Sequence, residues 1–297
     1  MNDRASTSDR DSVLADYLEL TKPRLTSLVI ATAAVGFFVA SPSDADLVAG
    51  ALMAIGMIAV VGGGNALNQY WEREVDGRMR RTQRRPLPAG RLAPARALIF
   101  GVILSLAGLA LLLFAVTPMA AAVALGGWIT YVFVYTPLKQ RTAASTLFGA
   151  VPGAVPPLVG WGAARGTLEP AAWSLFAIIF VWQIPHFFAI SRQYRDDYAR
   201  GGFPMLGVHD PDGSVTGRLS VAYSLLLIPL AVLPAILGLA GAGYFYGSLA
   251  LSIGFFAVTV WSLRTLGAGR ERWVFLSSLV YLTVLMAILV VDRVPSP

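Results

Sequence analysis

The densest chemistry in the chain lies in residues 65–91, NALNQYWEREVDGRMRRTQRRPLPAGR. This stretch continues an apolar run, residues 47–64, without a break. In one continuous helix Asn68, Glu72 and Asp76 fall at i, i+4 and i+8 and so line one face. Asn65 sits one turn earlier, deeper in the span. Arg78, Arg80, Arg81, Arg84, Arg85 and Arg91 crowd the loop beyond the acids. Carboxylates and then guanidiniums, where an apolar span meets water, suit a metal-bridged polyphosphate. Mg²⁺ takes one or two carboxylates together with phosphate oxygens. Arginine forks grip the oxygens that remain. A plainer reading also fits these residues: arginines after a span mark topology, and acids near a helix end pair with them or are solvated. An ionisable residue at a membrane span is nonetheless a functional candidate.

The whole chain places this stretch in a membrane. Of its 297 residues 56% are hydrophobic and 13% charged, with a mean hydropathy of +0.65. An ordinary soluble domain carries about a quarter charged residues. With no cysteine, disulfides, thiolate metal sites and cysteine nucleophiles are excluded. His186 and His209 are the only histidines, too few for a zinc site built of several imidazoles. The net charge of +6 follows membrane sidedness and is not a nucleic-acid footprint. Residues 1–16 are polar, with no apolar core, and read as a disordered tail on the inner side. Residues 17–297 then form a single domain.

Nine apolar segments are long enough to cross about 30 Å of hydrocarbon. They fall near 23–40, 47–70, 95–116, 119–135, 145–162, 171–194, 219–239, 244–263 and 273–291. The fold class is therefore an all-α polytopic membrane protein, with nine helices in a bundle around a central apolar cavity. With the N-terminus inside, the outer segments hold only Arg165 and Arg293, and the other 21 of the 23 Lys and Arg lie inside. The long inner loops come after spans 2 and 6. A shift of four spans preserves orientation, as in a parallel repeat. Span 5, with GAVPGAVPPLVGW, predicts close helix packing or a broken transporter helix.

The second inner loop reads SRQYRDDYARGGFPMLGVHDPDGS. If the sixth helix continues past the membrane, His186, Gln193 and Asp197 form a second polar stripe. His186 stands directly after Pro185 within an apolar span, and a buried imidazole needs a partner. Position alone favours a bond within the bundle over a ligand, including one to the backbone carbonyl that Pro185 frees. Lys139 and Arg141 end the loop after span 4, YTPLKQRT. A polar metal site under an apolar bundle suits an amphiphile with a diphosphate head and a hydrocarbon tail. Allylic diphosphates ionise when metal ions and Arg or Lys neutralise the departing diphosphate. A cavity that excludes water then protects the carbocation.

The pattern NxxNxxxExxxDxxMxRTxxRPL, carried by Asn65, Asn68, Glu72, Asp76, Met79, Arg81, Thr82, Arg85, Pro86 and Leu87, resembles the first motif of the UbiA-type intramembrane prenyltransferases. The RTxxRPL extension is similar to their haem-farnesylating branch. So are LTKPR at 20–24, YTPLKxRT at 135–142, GAVPPLVGW at 153–161, WQIPHF at 182–187 and DDYxRGGxPML at 196–206. The resemblance covers residues 17 to 290. It implies a nine-helix bundle that condenses farnesyl diphosphate with haem b, with Mg²⁺ as cofactor. The new bond forms at a haem vinyl group and leaves a hydroxyl beside it, and the product, haem O, serves terminal oxidases. The implied partners are the lipid bilayer, a haem A synthase and oxidase assembly proteins, with no nucleic acid. The implied place is a bacterial cytoplasmic membrane, crossed many times, with the acidic motifs on the cytoplasmic side.

By the same resemblance Asn68, Glu72 and Asp76 are catalytic and, with Asp197, hold the metal. Arg81, Arg85, Lys139 and Arg141 bind diphosphate, and His186 contacts the haem. The chain departs from the pattern in places. Glu72 and Glu74 stand where the branch often has Asp, and Gln140 and Ser145 where a basic residue and Asn are expected. In the second motif only Asp197 matches, with Gln193 one turn before it. Two other classes compete with a haem-specific enzyme: prenyl transfer to a quinone precursor or chlorin, and a secondary transporter or haem-carrying assembly factor without chemistry. WQIPHF opposes the first, and acids placed away from the bilayer midplane oppose a transporter.

Overall fold

A computed structural model describes residues 13–42, 46–265 and 269–294. Among these residues the chain is helical throughout, apart from turns and one isolated bridge between Ala240 and Arg293. Nine helices among them are long and apolar enough to span a membrane: α1 (Pro23–Ala40), α2 (Leu47–Asp76), α3 (Pro94–Ala115), α4 (Pro118–Lys139), α5 (Ser145–Arg165), α6 (Pro170–Gln193), α7 (Ser214–Ile236), α8 (Ala242–Arg264) and α9 (Glu271–Val291). The protein is an integral, multi-pass membrane protein. Residues 1–12 of the expected disordered tail lie outside the described residues. Its last part is corrected: residues 13–20 are helical, and Asp16 accepts a hydrogen bond from Arg91 Nε at 2.8 Å.

Helix α2 has 30 residues. At 1.5 Å per residue it is about 45 Å long, against about 30 Å of hydrocarbon. It starts sharply because Asp46 accepts from the Val48 and Ala49 amides at 2.9 and 3.0 Å. Its excess length carries Asn68, Glu72 and Asp76 beyond the apolar part of the span. Helix α7 begins earlier than hydropathy predicts, at Ser214 and not near residue 219. The Asp210 carboxylate accepts from the Val215 and Thr216 amides and from the Thr216 hydroxyl, which caps a polar first turn that apolar periodicity does not register.

The helices form two rings of four. Neighbours in sequence pack around α2, α3, α4 and α5, and again around α6, α7, α8 and α9, with α1 laid against α5. The two rings match the shift of four spans read from the loops. Span 5 is broken at Val155, between Ala154 and Pro156, and its glycines serve close packing. A Cβ on Gly160 would stand 1.9 Å from the Ala33 carbonyl oxygen, and one on Gly36 would stand 2.2 Å from that of Pro157. Backbone thus meets backbone between α1 and α5, as small residues allow where lipid gives helices no hydrophobic drive to associate.

In α4 residues Thr130–Tyr135 form a π-helical turn. Pro137 has no amide to bond the carbonyl four residues back, and its ring crowds that carbonyl. The wider turn relieves both. The Tyr131 carbonyl accepts from the Thr136 amide, five residues on, and from Thr136 Oγ1 at 2.8 Å. Such turns recur at functional sites, and this one sets the direction of Thr136 and Lys139.

Gly160→Ala should lower thermal stability in detergent by about 1–3 kcal/mol, the usual cost of overpacking. Gly254 provides the control, because nothing lies within 4 Å of a Cβ there. Gly254→Ala should hold or raise stability by up to about 1 kcal/mol through helix propensity.

Candidate active site

The amide and acid face of α2 is buried. Asn68, Glu72 and Asp76 are 3%, 2% and 1% exposed. Each polar group is met from a different part of the chain. Lys139 Nζ lies 3.1 Å from both Glu72 oxygens, brought there by the π turn. Arg85 donates to Asp76 Oδ2 at 2.7 Å, because the loop after α2 folds back on the helix. Thr82 Oγ1 donates to the Asp76 carbonyl at 2.8 Å and tightens that return. Asn68 Oδ1 accepts from Lys22 Nζ at 2.9 Å, and Asn68 Nδ2 donates to Thr136 Oγ1 at 3.2 Å.

Lys22 belongs to LTKPR, but sequence reasoning assigned it no role. It is the only non-glycine among the described residues with positive φ (φ 50, ψ 64). A side chain in that region costs about 1–2 kcal/mol, and it persists where the surroundings over-determine it. The surroundings here are amides of α2. Asn65 Nδ2 donates to the Thr21 carbonyl at 3.1 Å, and Gln69 Nε2 donates to that of Leu20 at 2.9 Å. Asn65 is held in turn by Tyr131, whose hydroxyl donates to Asn65 Oδ1 at 3.1 Å. Burial, reinforced by the Arg85 charge and opposed by Glu72, pushes the Lys22 ammonium down to about 7. The strained backbone before Pro23 is what marks Lys22, and a sequence does not show it.

Asp197 lies elsewhere in the network. Its carboxylate accepts from the Arg80 and Arg81 amides at 3.1 and 3.2 Å and pairs with Arg200. It therefore ties the second loop to the first, and Met79 packs into the same junction with Tyr198, Phe203 and Met205. Among the described residues no three of His, Asp and Glu lie together as a ready metal site. Of the expected set of Asn68, Glu72, Asp76 and Asp197, the first three share the buried face of α2, and Asp197 is bonded to the backbone amides of the loop that follows that helix. The polar stripe through His186, Gln193 and Asp197 is also corrected. Tyr194 leaves helical geometry (φ −109, ψ 25), so the register breaks, and Gln193 is exposed.

Arg81 is exposed and stacks over the Tyr194 ring at 5.1 Å. Arg141 is exposed beyond α4 and makes no ion pair with the acids of the cluster, which pair with Arg85 and Lys139 among the described residues. His186 lies apart from the acids, with its Nδ1 2.8 Å from Ser278 Oγ on α9. Its partner is thus a hydroxyl and not the carbonyl freed by Pro185. A cation at the acid cluster has one ready acceptor: Asp76 Oδ1 is buried without a partner among the described residues. Arg85 and Lys139 balance Glu72 and Asp76, and Lys22, held at about 7 by burial, adds a positive charge when it is protonated, which favours an anion.

The chain matches the UbiA prenyltransferase family over residues 29–288. The chain belongs to this family. It is 43% identical over 291 residues to protoheme IX farnesyltransferase of Solibacter usitatus, covering 94% of this chain and 99% of that one. It is 42% identical over 296 residues to protoheme IX farnesyltransferase of Myxococcus xanthus, covering 99% of both chains. Solved structures share the fold. A digeranylgeranylglyceryl phosphate synthase superposes with a TM-score of 0.80 at 19% identity, covering 94% of this chain and 98% of that one. A UbiA homologue from Archaeoglobus fulgidus bound to DMAPP and Mg²⁺ gives a TM-score of 0.69 at 16% identity, covering 92% of this chain and 99% of that one.

Burial works to raise the Asp197 carboxyl, but the Arg200 hydrogen bond and the two loop amides outweigh it and hold the group below the usual carboxylate range. A depressed folded value means that the tie is complete above the unfolded value of about 3.9 and is lost as pH falls through the folded one. Asp197→Ala should therefore speed hydrogen exchange at the Arg80 and Arg81 amides by about tenfold or more at neutral pH, since a bond to a charged group contributes about 1.5–3 kcal/mol. Acidification of the unaltered chain through that lowered folded value should remove the same protection, measured against the intrinsic exchange rate at each pH.

Proposed function

We infer that this chain transfers the farnesyl group of farnesyl diphosphate to a vinyl group of haem b, giving haem O and diphosphate. The observation that carries this reading is identity above 40% to enzymes of that name, across nearly the whole of both chains. The same relatives speak against a quinone-precursor acceptor. An acid cluster at the end of α2, balanced by cations and with Lys22 as a further positive charge when it is protonated, supports an enzyme over a transporter. The distribution of Lys and Arg supports placing that end on the cytoplasmic side of a bacterial membrane.

In this reading Arg85 and Lys139 pair with the carboxylates until diphosphate arrives, then turn to its oxygens. Arg81, exposed on the rim, guides the anion in, and Arg141 acts further out. Glu72 and Asp76, freed of their partners, hold Mg²⁺, with the buried Asp76 Oδ1 as the first acceptor and Asn68 beside it. When bound, the ion supplies charge that neutralises the departing diphosphate. Lys22 adds a donor from the opposite side. The C1–O bond of the farnesyl chain breaks, and diphosphate leaves with the electron pair. C1 then bonds to the outer vinyl carbon. The cation on the inner carbon takes water, which leaves a hydroxyl and releases a proton. The haem binds against His186.

Haem extracted from membranes that express the chain should gain the mass of a farnesyl group plus a hydroxyl, and haem b alone would overturn the reading. Glu72→Gln and Asp76→Asn should each slow turnover by about 10²–10³-fold, as for loss of groups that stabilise transition-state charge. EDTA should abolish activity and Mg²⁺ should restore it. Arg85→Ala and Lys22→Ala should raise KM for farnesyl diphosphate as well as lower kcat. If Arg85 served topology alone, its removal would leave both constants unchanged.

A further inference from the structure

His186 lies in the seam between α6 and α9. Its ring is stacked between Trp182, at 5.1 Å and 26°, and Phe275, at 5.0 Å and 28°. Trp182 and His186 are four residues apart, so both face the same neighbour on α9. That neighbour is Ser278. Trp182 Nε1 donates to the Ser278 carbonyl at 2.8 Å, and His186 Nδ1 lies 2.8 Å from the Ser278 hydroxyl.

The hydroxyl has one proton. It is committed: Ser278 Oγ donates to the Phe275 carbonyl at 2.6 Å. Toward His186 the oxygen has only a lone pair to offer, so the proton in that contact must sit on Nδ1. A neutral imidazole with a proton on Nδ1 carries its lone pair on Nε2. Nε2 makes no hydrogen bond among the described residues, and the ring is half-buried, not sealed. The two flanking rings oppose a flip that would exchange the nitrogens.

We propose that Ser278 is a positioning residue, which fixes the His186 tautomer and turns Nε2 toward the iron of the haem substrate. Histidines that ligate metals donate their other ring N–H to a second group, which sets orientation and raises basicity. Ser278 fills that role from a different helix. The proposal rests on the reading that haem meets His186.

The test adds haem b to the purified full-length chain in detergent and follows the Soret band and the iron–histidine resonance Raman signal. Affinity for farnesyl diphosphate and the melting temperature are measured alongside. Ser278→Ala should weaken haem binding about tenfold, the lower end for loss of such a partner. It should shift the iron–histidine signal while leaving farnesyl diphosphate affinity and melting in place. Ser278→Thr keeps the hydroxyl and should restore both haem readouts. Trp182→Phe removes the indole donor and part of the ring that flanks His186, and should shift the signal in the same direction. A wild-type signal and affinity in Ser278→Ala, with the signal lost in His186→Ala, would overturn the positioning role and leave the haem contact standing. An unchanged signal in His186→Ala would overturn the haem contact itself, and this proposal with it. Equal loss of haem affinity, diphosphate affinity and melting temperature in Ser278→Ala would reduce Ser278 to a packing residue.

Discussion

Two carboxylates are buried at the end of a membrane helix, and much of the surrounding structure answers to them. Removing an ion from water costs several kcal/mol unless it finds a partner. Glu72 and Asp76 are 2% and 1% exposed, and each has one: Lys139 and Arg85. Lys139 reaches Glu72 because α4 widens into a π turn before Pro137. Arg85 reaches Asp76 because the loop after α2 returns on itself under a hydrogen bond from Thr82. The segment before α1 is strapped to the same face by Asn65, Asn68 and Gln69, at the cost of a left-handed backbone at Lys22. Each carboxylate is met by a cation of the chain, and those cations are the groups the proposed function redirects to a phosphate.

The rigidity that holds this arrangement comes from two sources. Within the membrane, glycines bring α1 against α5 until backbone touches backbone. Outside the apolar spans, Asp197 gathers the Arg80 and Arg81 amides, so the two long loops lie as one layer beneath the bundle. Arg80 and Arg81 are therefore positioned by an acid from the other loop. The carboxylate that matches in the second motif, Asp197, is the one that docks the loops. That carboxylate serves the backbone of the first motif.

The two substrates of the farnesyl transfer differ in what they need, and in the proposed function the rings of four divide the work. The ring of α2 to α5 supplies charge for a diphosphate that must leave. The ring of α6 to α9 supplies aromatic surface and an imidazole for a flat macrocycle. The two meet where α5 packs on α6, with Gln183 of α6 against Gly153 of α5: a Cβ on Gly153 would stand 2.0 Å from Gln183 Oε1.

Sequence alone determined the membrane class, the nine spans, the repeat of four and the family, because hydropathy, charge sidedness and motif spacing are local or cumulative properties. It also marked Asn68, Glu72, Asp76, Arg81, Arg85, Lys139 and His186, since ionisable groups near apolar spans stand out one residue at a time. Only the tertiary structure decided who pairs with whom. Helical register suggested that Asp197 continued a stripe from His186, but a single residue, Tyr194, broke the register and sent Asp197 to the opposite loop. Lys22 gave no sign in composition or period, because its backbone strain and its bond to Asn68 exist only once α1 and α2 are packed. Ser278 lies 92 residues from His186 and looks like any serine in an apolar span. Its role depends on where one hydroxyl proton goes, and that is set by the distances between atoms that folding brings together.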